Sequence, residues 1–596
     1  MPPPDRRRPE PEEGEAMAWA NTEIARQLEE IAELLRLAGE DAFRVRAYER
    51  AAGAVGAAEV DLAELDEDEL TDVAGIGEST AAKIVEFADT GEIGLLRELR
   101  EQVPPGVVEL TRVPGLGPKL ARRLHAELDI DGLDDLAAAL DDGRVAALEG
   151  FGQRSAARIA SGLERIGAKD TDRTPAADVV DLALELCQRL EALDAVERAE
   201  PAGSLRRMRE TLGDLDVLVA TTAPAEAAEA VRGDRDLVAE VLADGDTKLS
   251  VRTRGPGIQL DVRLVEPEAW GAALVYFTGS KAHNVRLRER AVGDGLTVNE
   301  YAVADRETGR RRAGASEEEV YAALGLAWVP PPMREDTGEI EAAAEGSLPA
   351  VVAEEAVVGD LHGHCDVSGD SRASLEAMVA AAAERGLAWW AVTDHAEDLT
   401  MNGASREELL TRREALPGLA ERYGLALLDG LELNIDGEGG VDYDPAFLAT
   451  FDWCVASIHT MLDRDGAAQT ARICTAMANP HVHAIGHPTG RLLGQRPGYD
   501  LDWERVIATA VDTGTALEVN GSLRRLDAPA EVVGRAVQAG ATLSLASDAH
   551  APGDLRNLVW AARTAQRGWA PASAVLNTRS LEEVRAFVAA KRERGG

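Results

Sequence analysis

The chain has 596 residues, with 63 Lys and Arg against 106 Asp and Glu, a formal charge of −43. Such a length exceeds one hydrophobic core and implies about three to five domains. Such a charge excludes a broadly basic polyanion binder unless positive groups are concentrated locally, and no apolar run approaches the ~18 residues of a membrane span. A dense carboxylate surface suits a very salty cytoplasm, where Coulomb repulsion is screened. Lysine occurs only at Lys83, Lys119, Lys169, Lys248, Lys281 and Lys591, so arginine carries nearly all the positive charge. Cys187, Cys365, Cys454 and Cys474 show no CxxC spacing and read as reduced thiols of a cytoplasmic protein.

Residues 1–17 lack an apolar core and are expected to be a disordered tail. Residues 18–165, rich in Ala, Leu, Glu and Arg, are expected to be helical and divide into 18–95 and 96–170. One pattern recurs: LTDVAGIGESTAAKI (70–84), LTRVPGLGPKLARRL (110–124) and AALEGFGQRSAARI (146–159), with turn glycines Gly75/Gly77, Gly115/Gly117 and Gly150/Gly152. It resembles the helix-hairpin-helix DNA-binding motif. Glycines permit the tight turn, and backbone N–H groups at a helix N-terminus can meet a phosphate with little net positive charge. The plain alternative is helical turns capped by glycine.

A mixed segment, 171–268, follows. A helix is expected at 179–192, and LSVRTRGPGIQLDVRLVE (249–266) reads as two strands around a Gly-Pro-Gly turn. Asp214 and Asp216 in LGDLDVLV stand two apart, so on a strand both face the same side and can share metals. Asp261, in QLDVRLV, is the candidate third carboxylate. Gly203-Ser204 and Arg206-Arg207 offer a close-approach turn, a hydroxyl and guanidinium groups for a triphosphate. A further segment, 269–330, contains YFTGSKAHN (276–284). Residues 331–355, with a Pro run and many Glu and Ala, read as a linker.

From 356 to 596 strands alternate with helices, as in a parallel sheet. Expected strands are 356–361, 388–393, 425–433, 453–458, 482–486, 515–519 and 542–547. Histidine or an acidic residue ends one after another: GDLHGH, AVTDH, GLELN, ASIHT, IGHPTG and LASDAH. Of ten histidines, eight lie beyond residue 360. Side chains at the C-terminal rim of a parallel barrel converge on one site, and imidazole with carboxylate suits Zn²⁺, Mn²⁺ or Fe²⁺.

GSLRR…GDLD, LDVRL and YFTGSKAHN together resemble the palm and thumb of the family X DNA polymerases. The C-terminal barrel resembles the PHP (polymerase and histidinol phosphatase) domain. The resemblance spans about 18–594, and with the acidic bias the chain looks like a halophile's version. It implies an all-α helix-hairpin-helix region, an α+β nucleotidyltransferase palm (171–268) and thumb (269–330), and a distorted (β/α)7 PHP barrel. It implies Asp214, Asp216 and Asp261 as catalytic ligands of two Mg²⁺ or Mn²⁺ ions, and Gly203, Ser204 and Arg207 as phosphate contacts. Tyr276, Phe277, Gly279 and Asn284 would line the incoming nucleotide.

In the barrel the resemblance implies up to three Mn²⁺ or Zn²⁺ ions on His362, His364, His395, Glu432, His459, His487, Asp548 and His550. The ninth ligand of that family sits in Ser-Asp-Gly. Here the order is Ser368-Gly369-Asp370, so Asp370 is expected to fill the role, with Asp366 as fallback. Arg491 could hold a scissile phosphate or make a structural ion pair. Trp389 and Trp390 read as barrel core, and His481 and His483 as polar flanks of a strand. Lys83 matches the Schiff-base lysine of the related lyase domain, or contacts phosphate.

The expected function is DNA-directed DNA polymerase filling short gaps in repair, with PHP-dependent 3′→5′ exonuclease or 3′-end processing. The alternatives are a 3′-end nuclease with an inactive polymerase module and a non-catalytic DNA-end scaffold. Expected partners are gapped or primer-template DNA and dNTPs, with no membrane, for a cytoplasmic monomer.

Overall fold

The computed structural model describes residues 173–594 apart from 372, 400 and 401, together with parts of 24–160. The chain divides into two compact units at Asp172/Arg173. The expected tail lies outside the described residues.

In the first unit, helices Ala42–Gly56, Glu78–Thr90, Gly94–Gln102, Pro118–Leu128 and Leu133–Asp141 bury their apolar stripes in one core that includes Leu28, Leu35, Val55, Ile84, Leu124 and Ile159. The carbonyl of Gly77 accepts from the N–H groups of Thr80 and Ala81, so this glycine opens Glu78–Thr90. Gly152 has φ +58, a left-handed backbone that favours glycine. Gly75, Gly115, Gly117, Gly150 and the side chain of Lys119 lie outside the described residues.

The second unit begins with a five-stranded sheet: β1 (Val196–Pro201), β2 (Asp214–Thr221), β3 (Val238–Asp244), β4 (Lys248–Thr253) and β5 (Gln259–Val265), in the order β1-β2-β5-β4-β3. β2 and β5 are parallel and the other pairs antiparallel. β2 is apolar on both faces because both are covered. Leu215, Val217 and Val219 pack with helix Val180–Glu191, whereas Leu218 and Ala220 pack with Trp270–Thr278. Asp214 and Asp216 share the second of these faces by the two-residue strand period. Helix Lys281–Gly293, a small sheet and helix Glu317–Ala323 complete the thumb-like part.

Residues 331–355 are not the plain linker that their composition suggests. They contain helix Glu339–Glu345. Met333, Ile340 and Ala343 join the core of the preceding segment. Two of its charged residues are buried and paired with residues outside the stretch. The fully buried Arg334 grips Glu317 at 2.6 Å, and Glu339 grips the buried His283 at 2.6 Å.

The barrel holds β6 (Gly359–Asp360), β7 (Trp389–Val392), β8 (Ala426–Asn434), β9 (Trp453–Ser457), β10 (Ala484–Ile485), β11 (Ala516–Asn520) and β12 (Leu543–Ala546). They pair in sequence order, all parallel, and a parallel bridge between Gly363 and Ala549 joins the two ends. Trp389, Leu428, Trp453 and Val455 fill the interior with Val584 and Val588 of helix Leu581–Arg594. Trp390 is buried as expected. His483 stacks on Trp453 and accepts the Cys454 N–H through Nδ1 at 2.9 Å. Leu523, Leu526 and Trp560 of the barrel belong to the palm core, and Arg556 pairs with Asp181 at 2.6 Å. Among the described residues no helix is long and apolar enough to cross a membrane.

Glu317 also accepts from Arg206 at 2.8 Å. Glu317→Ala would therefore strand two guanidinium groups in a largely buried site. A cost of about 3–5 kcal/mol is expected, seen as a lower urea midpoint than that of the parent.

Candidate metal centres

The first centre stands on the parallel pair β2 and β5, whose register places Asp216 beside Asp261. Gly203 opens the short helix Gly203–Arg206 with φ +59, and a Cβ there would lie 2.3 Å from Asp216 Oδ2. Both conformation and space demand glycine. Burial, with Asp214 and Asp261 alongside, pushes Asp216 up to about 7. Asp261 moves the other way. Burial would raise it, but hydrogen bonds from Lys248 and Gln259 are among those that hold it below the usual range. Lys248 Nζ lies 2.6 Å from Asp261 Oδ2, and Gln259 Nε2 donates to Oδ1 at 3.0 Å. Arg263 Nη2 stands farther off, 3.7 Å from the same Oδ2. Neighbouring carboxylates whose close cations gather on one of them, Asp261, fit a site for divalent metal.

The expected phosphate and nucleotide contacts flank this centre. Arg207 donates through Nε to Glu335 at 3.0 Å and through Nη1 to the Thr278 carbonyl. Arg206, expected to serve the triphosphate as well, is instead bonded to Thr278 Oγ1 and Glu317. Its donors are taken by the thumb-like segment. Gly279 follows helix Trp270–Thr278, and a Cβ there would come 3.2 Å from Arg207 Nη1. The rings of Tyr276 and Phe277 meet edge to face at 5.1 Å. Asn284 Nδ2 donates to the Tyr276 carbonyl at 2.7 Å, which fixes that helix end.

The second centre is built on the rim of the barrel around the buried Glu432. Its Oε2 lies 2.7 Å from His395 Nδ1, 3.4 Å from His362 Nε2 and 3.7 Å from His364 Nε2. Its Oε1 lies 3.0 Å from His487 Nε2 and 3.2 Å from His459 Nε2. Asp548 Oδ1 is 3.5 Å from His364 Nε2. Asp370 Oδ2 is 3.2 Å from His395 Nε2 and 3.6 Å from His550 Nε2, whereas Asp366 is exposed. Burial would raise Glu432, yet His459, His362 and His395 hold it well below the carboxylate range. His362 Nε2, His364 Nε2, His395 Nδ1 and Glu432 Oε2 are buried and none is engaged in a well-aligned hydrogen bond, close as they lie to one another. Among the described residues, three groups have ligand atoms close enough for one ion: His364/His395/His550, His362/His364/Asp548 and His395/Glu432/His459. Lone pairs that converge, buried and unpaired, fit metal ions.

A supporting layer escaped the sequence reading. Glu518 of β11 lies 2.7 Å from His362 Nδ1 and accepts the His487 N–H at 2.9 Å. Asn434 Oδ1 is 2.7 Å from His459 Nδ1, and Asn520 Nδ2 donates to Asp548 Oδ2 at 3.1 Å. Such partners fix the tautomer and orientation of a ligand. A signal was present: Glu-x-Asn ends both GLELN and ALEVN. Ser368 Oγ joins Asp394 Oδ1 at 2.8 Å and His364 Nδ1 at 3.3 Å, with Arg412 Nη1 on Asp394 Oδ2 at 2.8 Å. The Cys365 thiol also rests on Asp394. Arg491 is committed to the carbonyls of Arg525 and Leu526 and lies 3.5 Å from Glu210. Arg525 instead approaches the rim, with Nε 3.3 Å from Asp548 Oδ2.

In the first unit, Lys83 donates to the Ser79 carbonyl at 2.9 Å and to Ser79 Oγ at 3.2 Å, and lies 5.9 Å from the Tyr48 ring centre.

A buried carboxyl raised to about 7 binds a proton that the unfolded chain has released, so its ionisation costs stability as pH climbs from about 4 through 7. Asp216→Asn should therefore raise the melting temperature of the metal-free protein by roughly 2–5 °C at pH 8 and little at pH 5. Equal shifts at both pH values, read by calorimetry in chelator, would contradict this.

Known proteins resemble this chain over nearly its whole length. Residues 273–335 match the DNA polymerase beta thumb, 19–93 a helix-hairpin-helix domain and 107–165 a SAM-like helix-hairpin-helix tandem. A DNA polymerase/3′-5′ exonuclease PolX of Bacillus subtilis is 36% identical over 569 residues, covering 95% of this chain and 99% of that protein. A probable phosphatase of Photobacterium profundum is 31% identical over 207 residues, 33% of this chain and 80% of its own length. A probable phosphatase of Caldanaerobacter subterraneus subsp. tengcongensis is 30% identical over 250 residues, 40% of this chain and 94% of its own. The chain therefore belongs to the PolX family, the family X DNA polymerases with a C-terminal PHP barrel.

Proposed function

We propose that this chain extends a primer 3′ end across short DNA gaps at the palm and removes or processes 3′ ends at the barrel. The observation that supports the reading is that one chain carries both sets of side chains: Asp214 and Asp216 on β2 with Asp261 in register beside Asp216 on β5, and histidines of the barrel rim gathered around Glu432. A nuclease with a dead palm would have no need of that triad, and a scaffold would need neither.

Divalent cations, when bound, supply Lewis acidity for in-line phosphoryl transfer, with Mg²⁺ or Mn²⁺ suited to the palm carboxylates and Mn²⁺ or Zn²⁺ to the imidazole-rich rim. Asp214, Asp216 and Asp261 would hold those cations, which would neutralise the triphosphate and polarise the primer hydroxyl. Ser204 and the backbone at Gly203 offer hydrogen bonds to phosphate oxygens, and Arg207 offers its remaining guanidinium donor. Tyr276, Phe277 and Gly279 form the wall beside the sugar. In the barrel, Glu432 bridges ligand groups, Glu518, Asn434 and Asn520 fix ligand orientation, and Arg525 faces the phosphodiester from the rim. The glycine turns of the first unit, Gly77 and Gly152 among them, present backbone N–H groups to DNA phosphates.

The two reactions should separate by mutation. Asp214→Ala or Asp216→Ala should reduce dNTP incorporation about 100-fold or more and spare 3′ degradation, because no other side chain replaces a lost carboxylate ligand. His362→Ala, Glu432→Ala or Asp548→Ala should do the reverse. Primer extension at the parent rate by the Asp216→Ala protein would refute the palm assignment.

Asp370 should prove a ligand and Asp366 should not. Asp370→Ala should lower bound metal, measured by elemental analysis, and slow 3′ degradation by about 10- to 100-fold. Loss of both in Asp366→Ala, with Asp370→Ala intact, would reverse the assignment.

A further inference from the structure

Glu335 occupies an unusual position. It lies just beyond the thumb-like helices, yet its Oε1 accepts from two arginines of different parts of the second unit. Arg207 Nε of the palm donates at 3.0 Å, and Arg567 Nη1 of the barrel donates at 2.8 Å. The same Arg567 nitrogen donates to the backbone carbonyl of Arg207 at 3.1 Å. Arg567 therefore holds Arg207 twice, once by its main chain and once through the carboxylate on its side chain. All three side chains are largely shielded, with exposures of 14%, 19% and 12% for Arg207, Glu335 and Arg567. Shielding makes such charge-assisted bonds stronger and more directional than on an open surface.

The backbone at this point has little freedom. Met208, next to Arg207, has φ +58 and is buried in the palm core. On the other side, Arg207 Nη1 is bonded to the Thr278 carbonyl. With Nε on Glu335 and Nη1 on Thr278, the remaining amino group of Arg207 is aimed by its neighbours. Arg567 is itself fixed. It ends helix Asn557–Arg567, and Trp560 of that helix is part of the palm core. An arginine free to rotate gives up rotamer entropy when it binds a ligand; one already held gives up less.

We propose that Arg567, a residue of the PHP barrel, is a positioning residue for the polymerase: through Glu335 and the Arg207 carbonyl it presets the guanidinium that receives the triphosphate of the incoming nucleotide. This rests on the reading of Arg207 as a triphosphate contact. The barrel is then more than an appended nuclease. It is a structural part of the nucleotide pocket, and a change in the barrel alters dNTP binding without touching the nuclease ligands.

The test uses the full chain on gapped DNA, with kcat and KM for a dNTP, and the dNTP Kd on a gap whose primer ends in a dideoxynucleotide. Arg207→Ala should raise KM about tenfold or more. Arg567→Ala and Glu335→Gln should each raise KM and Kd about three- to tenfold with kcat within about twofold. The double variant should be no worse than the worse single one, since both act through one contact. Arg567→Lys should recover part of the loss, and Arg567→Ala should leave 3′ degradation at the parent rate. If Arg207→Ala leaves KM unchanged, the triphosphate reading of Arg207 fails and the inference fails with it. If Arg207→Ala raises KM but Arg567→Ala does not, the inference alone fails. A lower KM in Glu335→Gln would make Glu335 a competitor of the nucleotide and overturn the positioning role. Parallel losses of kcat, 3′ degradation and melting temperature in Arg567→Ala, without rescue by lysine, would reduce the contact to stability alone.

Discussion

Like charges brought together must be compensated, and both centres are organised around that constraint. In the palm, Asp214, Asp216 and Asp261 converge, but only Asp261 has a strong cation, Lys248 at 2.6 Å. Burial, and after it the charges of Asp214 and Asp261, push Asp216 up to about 7. In the barrel, one buried carboxylate, Glu432, is ringed by imidazoles. The palm is rich in oxygen donors and the rim in nitrogen donors, which is why they suit different divalent metals. The surrounding elements follow from the need to hold these groups close. Gly203 is required by proximity to Asp216. Left-handed φ values at His487 and Asp548 mark backbone held out of its easy range at two candidate ligands.

The palm and barrel are one body in physical terms. Leu523, Leu526 and Trp560 pack into the palm core, and Leu493 lies against it. Arg556 of the barrel pairs with Asp181 of the palm at 2.6 Å. The loop after β11 is shared between the two sides. Leu526 faces the palm, whereas Arg525 faces Asp548 at the metal rim. The segment 331–355 is the seam, not a tether, because its helix buries Ile340 and Ala343. Alignment of the two centres is therefore set by packed side chains rather than by the length of a connection.

Much of this was legible in sequence, for reasons that differ by element. The barrel strands were readable because each is largely apolar and six of the seven carry a ligand-type residue at or just after their end, and all seven occur within a few residues of the expected places. The palm carboxylates were readable because a two-residue spacing has one meaning on a strand. What escaped was long-range. Glu518 supports His362 across 156 positions, and Arg334 takes its charge partner from a helix that composition alone does not link to it. Charge density made 331–355 look solvated, although Arg334 and Glu339 are paired and buried. Arg206 and Arg207 are neighbours with the same chemistry, yet the first is bonded to Glu317 and the second is held beside Gly279. Asp370 and Asp366 were separable only by distance to His395 and His550.

The preference for arginine over lysine acquires a structural meaning beyond surface charge. Several buried cations here bridge more than one acceptor at once. Arg334 joins Glu317 by two bonds and the Val329 carbonyl by a third. Arg412 joins Asp394, Asp429 and the Gly430 carbonyl, and Arg472 reaches several carbonyls from one buried position. A planar fork of five donors can do this, whereas an ammonium is a compact point charge that loses its proton more readily when buried. Lys591 illustrates the difference: burial pushes it down to about 8, and its Nζ donates to the Met477 carbonyl. Lysine at position 248 is suited to its place for the opposite reason. A single charge on a flexible stem can neutralise Asp261 without fixing the geometry of a carboxylate proposed to accept metal. In a chain with this excess of acid, the choice of cation thus separates joints that must be rigid from a site that must stay open.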